Sequence, residues 1–450
     1  MFGKARILCM TAAALGMFAW GWGSTSQAET LQEAVQYMIE TNPDVRAGAY
    51  NRLARDQEVR QAFSAYLPSF DVVGGVGYTD ADKPVDDTFN PEQLTLSLRQ
   101  NVFTGLATKN EVERQESRVR SSAYRLQSTS ENTGLRTTEV YLQVLRKQEL
   151  HDLAKENLAI HVRIADQIKL RSESGLDRKA DMDQVNSRLN LAKSNVVITQ
   201  TNLIDAQTNY LTVVGHLPEN LIKPEFPDSM LPVSMEEADQ IALLSHPALK
   251  GAVADLDARK SQEKVAKAPY WPILDIEVDK NWAEETSYSY NEQDDFTALL
   301  RLRYNLFRGW RDKARKLETK HLVSEALETR NNTHRQVIES MRLSWMSYKS
   351  VMDRINYVRE RVENATATAA SYNKQWNIGQ RTLLDVLDTE AERIDSMKDL
   401  VGAEYDGMYA KYRIMNSMGH LVKSLDLQWP EEATVEEDQQ DVQEEESGQS

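Results

Sequence analysis

Residues 376–388, WNIGQRTLLDVLD, gather the chain's densest set of mutually reactive charges: Arg381, Asp385 and Asp388, with Gly379 and Trp376 beside them. No nucleophile–base pair, metal-ligand spacing or phosphate loop accompanies them, so the chemistry on offer is electrostatic. A glycine followed within nine residues by two acids suits a turn that reverses one long helix into the next and collects carboxylates at its tip. Two roles fit that arrangement. Asp385 and Asp388 can be first-turn acids that complement a helix dipole, with Arg381 an exposed turn residue. Alternatively, copies of the tip around one axis would form a charged constriction. Rings of like carboxylates resist full ionisation and prefer cations, and Arg381 paired with Asp181 or Asp385 would oppose opening.

The tip occurs twice. At an offset of 204 residues, SESGLDRKADMDQ (172–184) answers it, with Gly175 for Gly379 and Asp181 for Asp385. The same offset aligns Asn42-Pro43 with His246-Pro247, Tyr66-Leu67-Pro68 with Tyr270-Trp271-Pro272, and Asn101-Val102-Phe103-Thr104-Gly105 with Asn305-Leu306-Phe307-Arg308-Gly309. Gly215-His216-Leu217 meets Gly419-His420-Leu421 without a gap. Units this long are not solenoid repeats, which run nearer 20 to 50 residues, so each half must be a substructure with its own hairpins. The expected divisions are a signal peptide over 1–28, a first repeat over 29–216, a linker over 217–233, a second repeat over 234–422 and an acidic, disordered tail over 423–450.

The elements that must carry the tips follow from proline and from periodicity. None of the twelve prolines falls between Glu92 and Leu217 or between Ile273 and Trp429, which leaves room for very long helices. Gly105 to Arg171 predicts a helix of about 100 Å with only Gly134 inside it; Ala180 to Val214 adds a return of about 50 Å, and Asp44 to Tyr66 an opening helix of about 35 Å. Between them the period becomes two. Phe70, Val72 and Val76 alternate with Asp71, Gly75 and Gly77; Leu94, Leu96 and Leu98 with Thr95, Ser97 and Arg99. In the second half Leu274, Ile276 and Val278 alternate with Asp275, Glu277 and Asp279, and Leu300, Leu302 and Tyr304 with Arg301, Arg303 and Asn305. Apolar out and charged in is how a lipid-facing barrel strand around a wet lumen reads; a hairpin lying on a soluble core gives the same alternation. Tyr78, Trp282 and Tyr304 near strand ends suit an interfacial aromatic belt.

Compartment agrees with lipid exposure. Lys4 and Arg6, an apolar run from Ile7 to Trp22 and Ser26-Gln27-Ala28 make an export signal whose cleavage would leave Glu29 first. The single cysteine, Cys9, lies inside that signal, which removes disulfides, thiol chemistry and cysteine metal sites from the rest. The net charge is −16, and the nine acids among residues 431–450 leave −7 elsewhere with no basic run, a poor fit to nucleic acid. Asp177, Asp181 and Asp183 crowd the first tip but lack calcium-loop spacing, and no histidines pair at metal-binding spacing. No cofactor and no metal are expected, nor any enzymatic activity.

Four strands per chain cannot close a barrel, since about eight is the smallest, so the working unit must be an oligomer. Twelve helical columns spaced about 9–10 Å apart leave a bore of roughly 25 Å, whereas a dimer's eight leave only about 15 Å. A trimer is the more useful tube.

At this point the chain from Leu31 to Val422 resembles the TolC-type outer-membrane efflux proteins. The similarity is most specific at Gly379-x-Arg381-Thr382-x-x-Asp385-Val386-Leu387-Asp388, and Tyr-x-Pro before a strand and Asn-x-Phe-x-Gly after one are similar too. The resemblance implies an α+β membrane protein, a homotrimer whose 12-stranded β-barrel in the outer membrane continues into a 12-helix periplasmic α-barrel. It implies a passive exit duct for drug efflux or type I secretion, partnered by a periplasmic adaptor (membrane fusion) protein and an inner-membrane transporter of ABC, RND or MFS type. Carried over by position, Asp385 and Asp388 would form the constriction rings, and Arg381, Trp376 and Asp181 the aperture latch on the tip turns at Gly175 and Gly379. Ala180 stands where that pattern has a hydroxyl, and Trp376 where it has a smaller aromatic. The competing reading is a periplasmic coiled-coil adaptor or scaffold, which should lack four alternating strands.

Overall fold

The computed structural model describes residues 28–82, 87–173, 179–284 and 292–435. All but the last residue of the expected signal (1–28), the acidic residues after Val435 and the first tip turn with Gly175 and Asp177 lie outside them. Each half begins with two helices, not the single opening helix expected. These are α1 (Leu31–Thr41) with α2 (Pro43–Ser64), and α5 (Met235–Ser245) with α6 (Pro247–Val265). The break is local chemistry. Asn42 and His246 end one helix in extended conformation, accept from the amide two residues on, and are followed by proline at the first helical position, where its missing N–H costs nothing.

Strands β1 (Ser69–Val76), β4 (Glu92–Phe103), β5 (Ile273–Glu284) and β6 (Gln293–Arg303) form one antiparallel sheet in the order β1-β4-β5-β6. A second hairpin, β2 (Thr79–Ala81) with β3 (Asp87–Phe89), tops the first half; nothing in its short polar sequence announces it. Tyr304 and Asn305, expected in the last strand, fall beyond its end at Arg303. The pleat sorts residues as the alternation predicts. On one face Arg301 Nη2 pairs with Glu277 at 2.7 Å, Arg303 Nη2 with Asp275 at 2.6 Å, and Thr95 donates to Asn281 at 2.8 Å. The other face carries Phe70, Val72, Phe296, Leu300 and Leu302, each 59–69% exposed. Among the described residues no helix covers them.

The long helices are α3 (Ala107–Glu173) and α7 (Arg311–Asn377), 67 residues each; α4 (Lys179–Val214) and α8 (Leu383–Met418) return with 36 each. All four boundaries repeat at the 204-residue offset. Gly134 does not interrupt α3, because its bare Cα lets Leu421 approach, where an added Cβ would lie 3.2 Å from Leu421 Cδ2. Nearer the sheet the helices lie in the order α2, α3, α6, α7; farther away, α4, α3, α8, α7. Among the described residues no helix is long and apolar enough to cross a membrane.

Around the middle of α3, the short helices and both linkers make the largest core. Met38, Tyr141, Tyr210, Met341, Tyr412, Ile414 and Leu421 are all fully buried there. Glu29, the residue expected to begin the mature chain, is tied into it. Its backbone N–H donates to Glu219 O, its carbonyl accepts from Ile222 N, and its carboxylate accepts from the Tyr210 hydroxyl at 2.6 Å. The C-terminal segment corrects the expected boundary of disorder. Residues 423–435 are ordered, with Leu425, Leu427 and Trp429 against the core and Ala433 and Val435 buried. Glu131 holds this strap by accepting from Leu421 N, Val422 N and Trp429 Nε1, and Gln127 Nε2 donates to Ala433 O. Burial pushes the Glu131 carboxyl up to about 7 despite those donors.

Candidate functional site

Both long hairpins end at the tips farthest from the sheet, and the second is described throughout. Helix α7 stops at Asn377. Gly379 enters the left-handed region (φ 77°), and its N–H reaches back to Trp376 O while Gln380 N donates to Gln375 O. This closes the last turn on its orphan carbonyls. Helix α8 then opens with a capping box: Asp385 N donates to Thr382 Oγ1, and Thr382 N and Oγ1 both donate to Asp385 Oδ2 at 3.1 and 2.8 Å. These bonds hold the Asp385 carboxyl below its ordinary pKa, with Arg381 adding to the effect. Within one copy Asp385 is therefore firmly ionised, and it is also the first-turn acid that local chemistry allows.

Asp388 lies one turn on, on the same face as Asp385, and accepts from Arg188 Nη2 of α4 at 2.9 Å. Arg381 does not reach Asp181 in this chain. Its Nε donates to Gln375 Oε1 at 3.0 Å and its guanidinium lies 4.1 Å from the Tyr372 ring centre, so the arginine is folded back onto α7. Asp181 is half-buried in the first turn of α4. Trp376 turns inward, 7% exposed, among Ile164 and Ile168 of α3, Val185 of α4 and Leu383, Val386 and Leu387 of α8, with the Arg171 guanidinium 5.3 Å from its ring. The indole thus pins the two hairpins together.

Sequence reasoning missed Arg188, Tyr372 and Gln375. The last two stand nine and six residues before Arg381, across the turn that Gly379 makes. Arg188 sits 200 residues from its partner, and only its place two turns after Asp181 pointed to it. Among the described residues no group of histidines, cysteines and acids could hold a metal.

An all-antiparallel sheet with a bare apolar face, continued by two 67-residue helices that each pair with a 36-residue return, the second through a charged turn, is the architecture of known proteins. The model of the outer membrane efflux protein family matches the chain twice, over residues 34–216 and 239–420. The chain belongs to that family. It is 23% identical to outer membrane efflux protein BepC of Brucella suis over 401 residues, covering 89% of this chain and 87% of that one. It is 23% identical to outer membrane protein TolC of Escherichia coli over 430 residues, covering 90% and 85%. The crystal structure of the Campylobacter jejuni CmeC outer membrane channel superposes with a TM-score of 0.77 at 12% identity, covering 92% of this chain and 94% of that one. This efflux channel is accordingly an exit duct of efflux or type I secretion, seated in the outer membrane and extending into the periplasm. Members of the family are channel and transport proteins that work with inner-membrane transporters and adaptor proteins.

Proposed function

We propose that three copies of the efflux channel close into a 12-stranded barrel above a 12-helix tunnel, and that the tips at its far end form the gate. The observation that carries this is an unfilled repeat. Gly105, after β4, packs against the end of α6, where an added Cβ would lie 2.5 Å from Ala268 O and 2.9 Å from Trp271 Cβ. Gly309, its counterpart after β6, meets nothing within 4 Å. The 204-residue offset sends Ala268 and Trp271 to Ser64 and Leu67, so the Gly309 turn fits the end of α2 on another copy. The open edges of the sheet agree. Strand β6 runs antiparallel to β1, so the β6 edge of one copy continues the ladder into β1 of the next, and twelve strands return to the start. In the same order α7 lies beside the α2–α4 column of its neighbour. This is a heterologous contact that closes as a ring.

The divisions of the chain follow from this assembly: a cleaved signal, two repeats of strand hairpin and helical hairpin, an equatorial linker, and an acidic tail beyond the strap. At the tip, Asp385 and Asp388 would stand as threefold rings. Asp385 enters its ring already ionised through the capping box, so ring repulsion works against a lowered pKa and favours a wider, open tip. Arg381, held by Tyr372 and Gln375 and close to Asp385, offsets that repulsion; Trp376 and Asp181 complete the latch by fixing the second tip on the first. The partners are a periplasmic adaptor and an inner-membrane ABC, RND or MFS transporter, which supply the energy the duct lacks. An adaptor or scaffold is disfavoured by the four-stranded sheet with its exposed apolar face.

Single-channel conductance in a planar bilayer tests the reading. The wild type is expected to show a small, cation-preferring conductance. Arg381→Ser should enlarge it, and Asp385→Ala with Asp388→Ala should remove the cation preference. Folded protein without conductance in all three would overturn the duct.

A further inference from the structure

The helical wall near the sheet has two unlike faces. On α3, Gln127 and Glu131 hold the C-terminal strap, while Arg118, Ser122, Arg125 and Thr129 lie about half a turn away round the helix. Helices α1 and α5 and the strap all occupy the first face. Three such sets would fill a bore of roughly 25 Å, so that face is the outside of the tunnel and the second face is its lumen.

On the lumenal face α2, α3, α6 and α7 enclose a groove of about 890 Å³. Five guanidiniums line it, Arg55, Arg114, Arg118, Arg125 and Arg259, against the carboxylates of Asp255 and Glu325. Their pairing is incomplete. Arg55 and Arg118 share one carboxylate, Glu58, at 2.6 Å each; Arg114 takes Glu111 and Arg125 takes Asp255. Arg259 donates to the Gln262 amide at 2.9 Å. The Arg118 pKa is drawn down by burial and then by the Arg55 cation, the mark of crowded positive charge. On the same wall the Ser121 hydroxyl, 2% exposed, has no hydrogen-bond partner among the described residues. Ser128 and Thr129 add hydroxyls to the same wall, while those of Thr329 and Thr333 donate to Glu325 O and Thr329 O within α7.

We propose that this groove, repeated three times around the lumen, is a binding belt for cargo bearing clustered carboxylates. The inference rests on the trimeric duct and names the class of what passes through it. Arginine suits the task because its planar fork binds carboxylates bidentately and is weakly hydrated. The acidic tip does not cancel the belt. From Thr329 beside the groove, α7 continues about 70 Å to Asn377, while charges are screened over about 8 Å at physiological salt. Cargo admitted through the opened tip therefore meets a separate zone of opposite sign.

The test uses the purified trimer and two probes, hexaglutamate and citrate, with hexalysine as control. Hexaglutamate on the barrel side, from which it reaches the belt without crossing the acidic tip, is expected to interrupt the wild-type current, and Arg125→Gln with Arg259→Gln should shorten each interruption roughly fivefold. Both arginines are surface residues away from the Glu58 bridge, so the variant should fold. Thr329→Arg should lengthen the interruptions. Binding of labelled hexaglutamate to the detergent-solubilised trimer reads the same site without conduction, so a dead channel overturns the duct and leaves the belt measurable. Interruption by citrate as well as peptide supports a site for small polycarboxylates, and by peptide alone a site for acidic polypeptide. Equal binding by wild type and the arginine variant, or preference for hexalysine, overturns the proposal.

Discussion

Gly105 and Gly309 occupy the same turn in the two halves, with φ of 62° and 57°, each followed by a left-handed non-glycine residue, Leu106 or Trp310. The first is wedged against a backbone carbonyl and the second stands in the open. Identical local structure with opposite surroundings teaches where a chain ends and its assembly begins. The conformation is strained for any L-residue, at about 1–2 kcal/mol, and a fold that keeps it twice must use it twice. In the Gly105 turn the use is visible; in the proposed trimer the Gly309 turn would take its partner from another copy.

The largest expected effect breaks the comparison directly. Gly105→Ala adds overpacking of about 1–3 kcal/mol to the strain and should abolish the folded chain, seen as loss of helical circular dichroism in detergent. Gly309→Ala carries only the strain within one copy, so helicity should survive while the heat-sensitive trimer band disappears from gels. Were Gly309→Ala to leave the trimer intact, the bare turn would not be the mirror of the packed one.

How far sequence reached follows the same divide between local and distant causes. Strand alternation at Leu274–Asp279 and proline-free runs are local, and they located the sheet and the 67-residue helices. Gly379 and the Thr382–Asp385 box are local too, so the tip turn was legible. The order at Ala433 and Val435 was not, because two small apolar residues in an acidic run acquire their meaning from Gln127 and Tyr124, some 300 positions away. For the same reason Asp388 could be placed on a tip but not matched with Arg188. Whether Asp385 forms a ring depends on other copies of the chain.

A second asymmetry lies at the equator. Glu131 has Arg335 as its counterpart at the repeat offset, and only Glu131 grips a strap. Glu131→Leu leaves Leu421 N, Val422 N and Trp429 Nε1 without an acceptor, at about 1–3 kcal/mol for each that stays buried. The strap should release, with Trp429 fluorescence shifting to the red. The pH dependence has a definite sign. Burial lifts this carboxyl from 4.5 to about 7, so the folded state holds a proton that the unfolded state has lost. Its stabilising contribution is complete below about pH 4.5 and disappears as pH rises through 7. The urea midpoint of the Trp429 signal should be higher at pH 5 than at pH 8, and a midpoint that rises with pH would show that the three N–H donors outweigh burial.

The smallest effect belongs to the tips, where Arg188 and Asp388 pair across the two halves and the offset places Gln184 and Glu392 at the equivalent positions. With side chains 35% and 56% exposed, such a pair is worth about 0.2–1 kcal/mol, too little to hold a tunnel shut. Its consequence is charge. In the proposed trimer, while Arg188 faces Asp388 that ring would be largely neutralised and Asp385 would set the selectivity. Arg188→Ala uncovers three carboxylates without touching the latch, so cation preference should rise a few-fold with conductance nearly unchanged. The rise should vanish in 1 M salt, where the screening length falls to about 3 Å. An enlarged conductance that persists in high salt would mean instead that the pair braces the tip, and Arg188 would then join Arg381 among the residues that keep it closed.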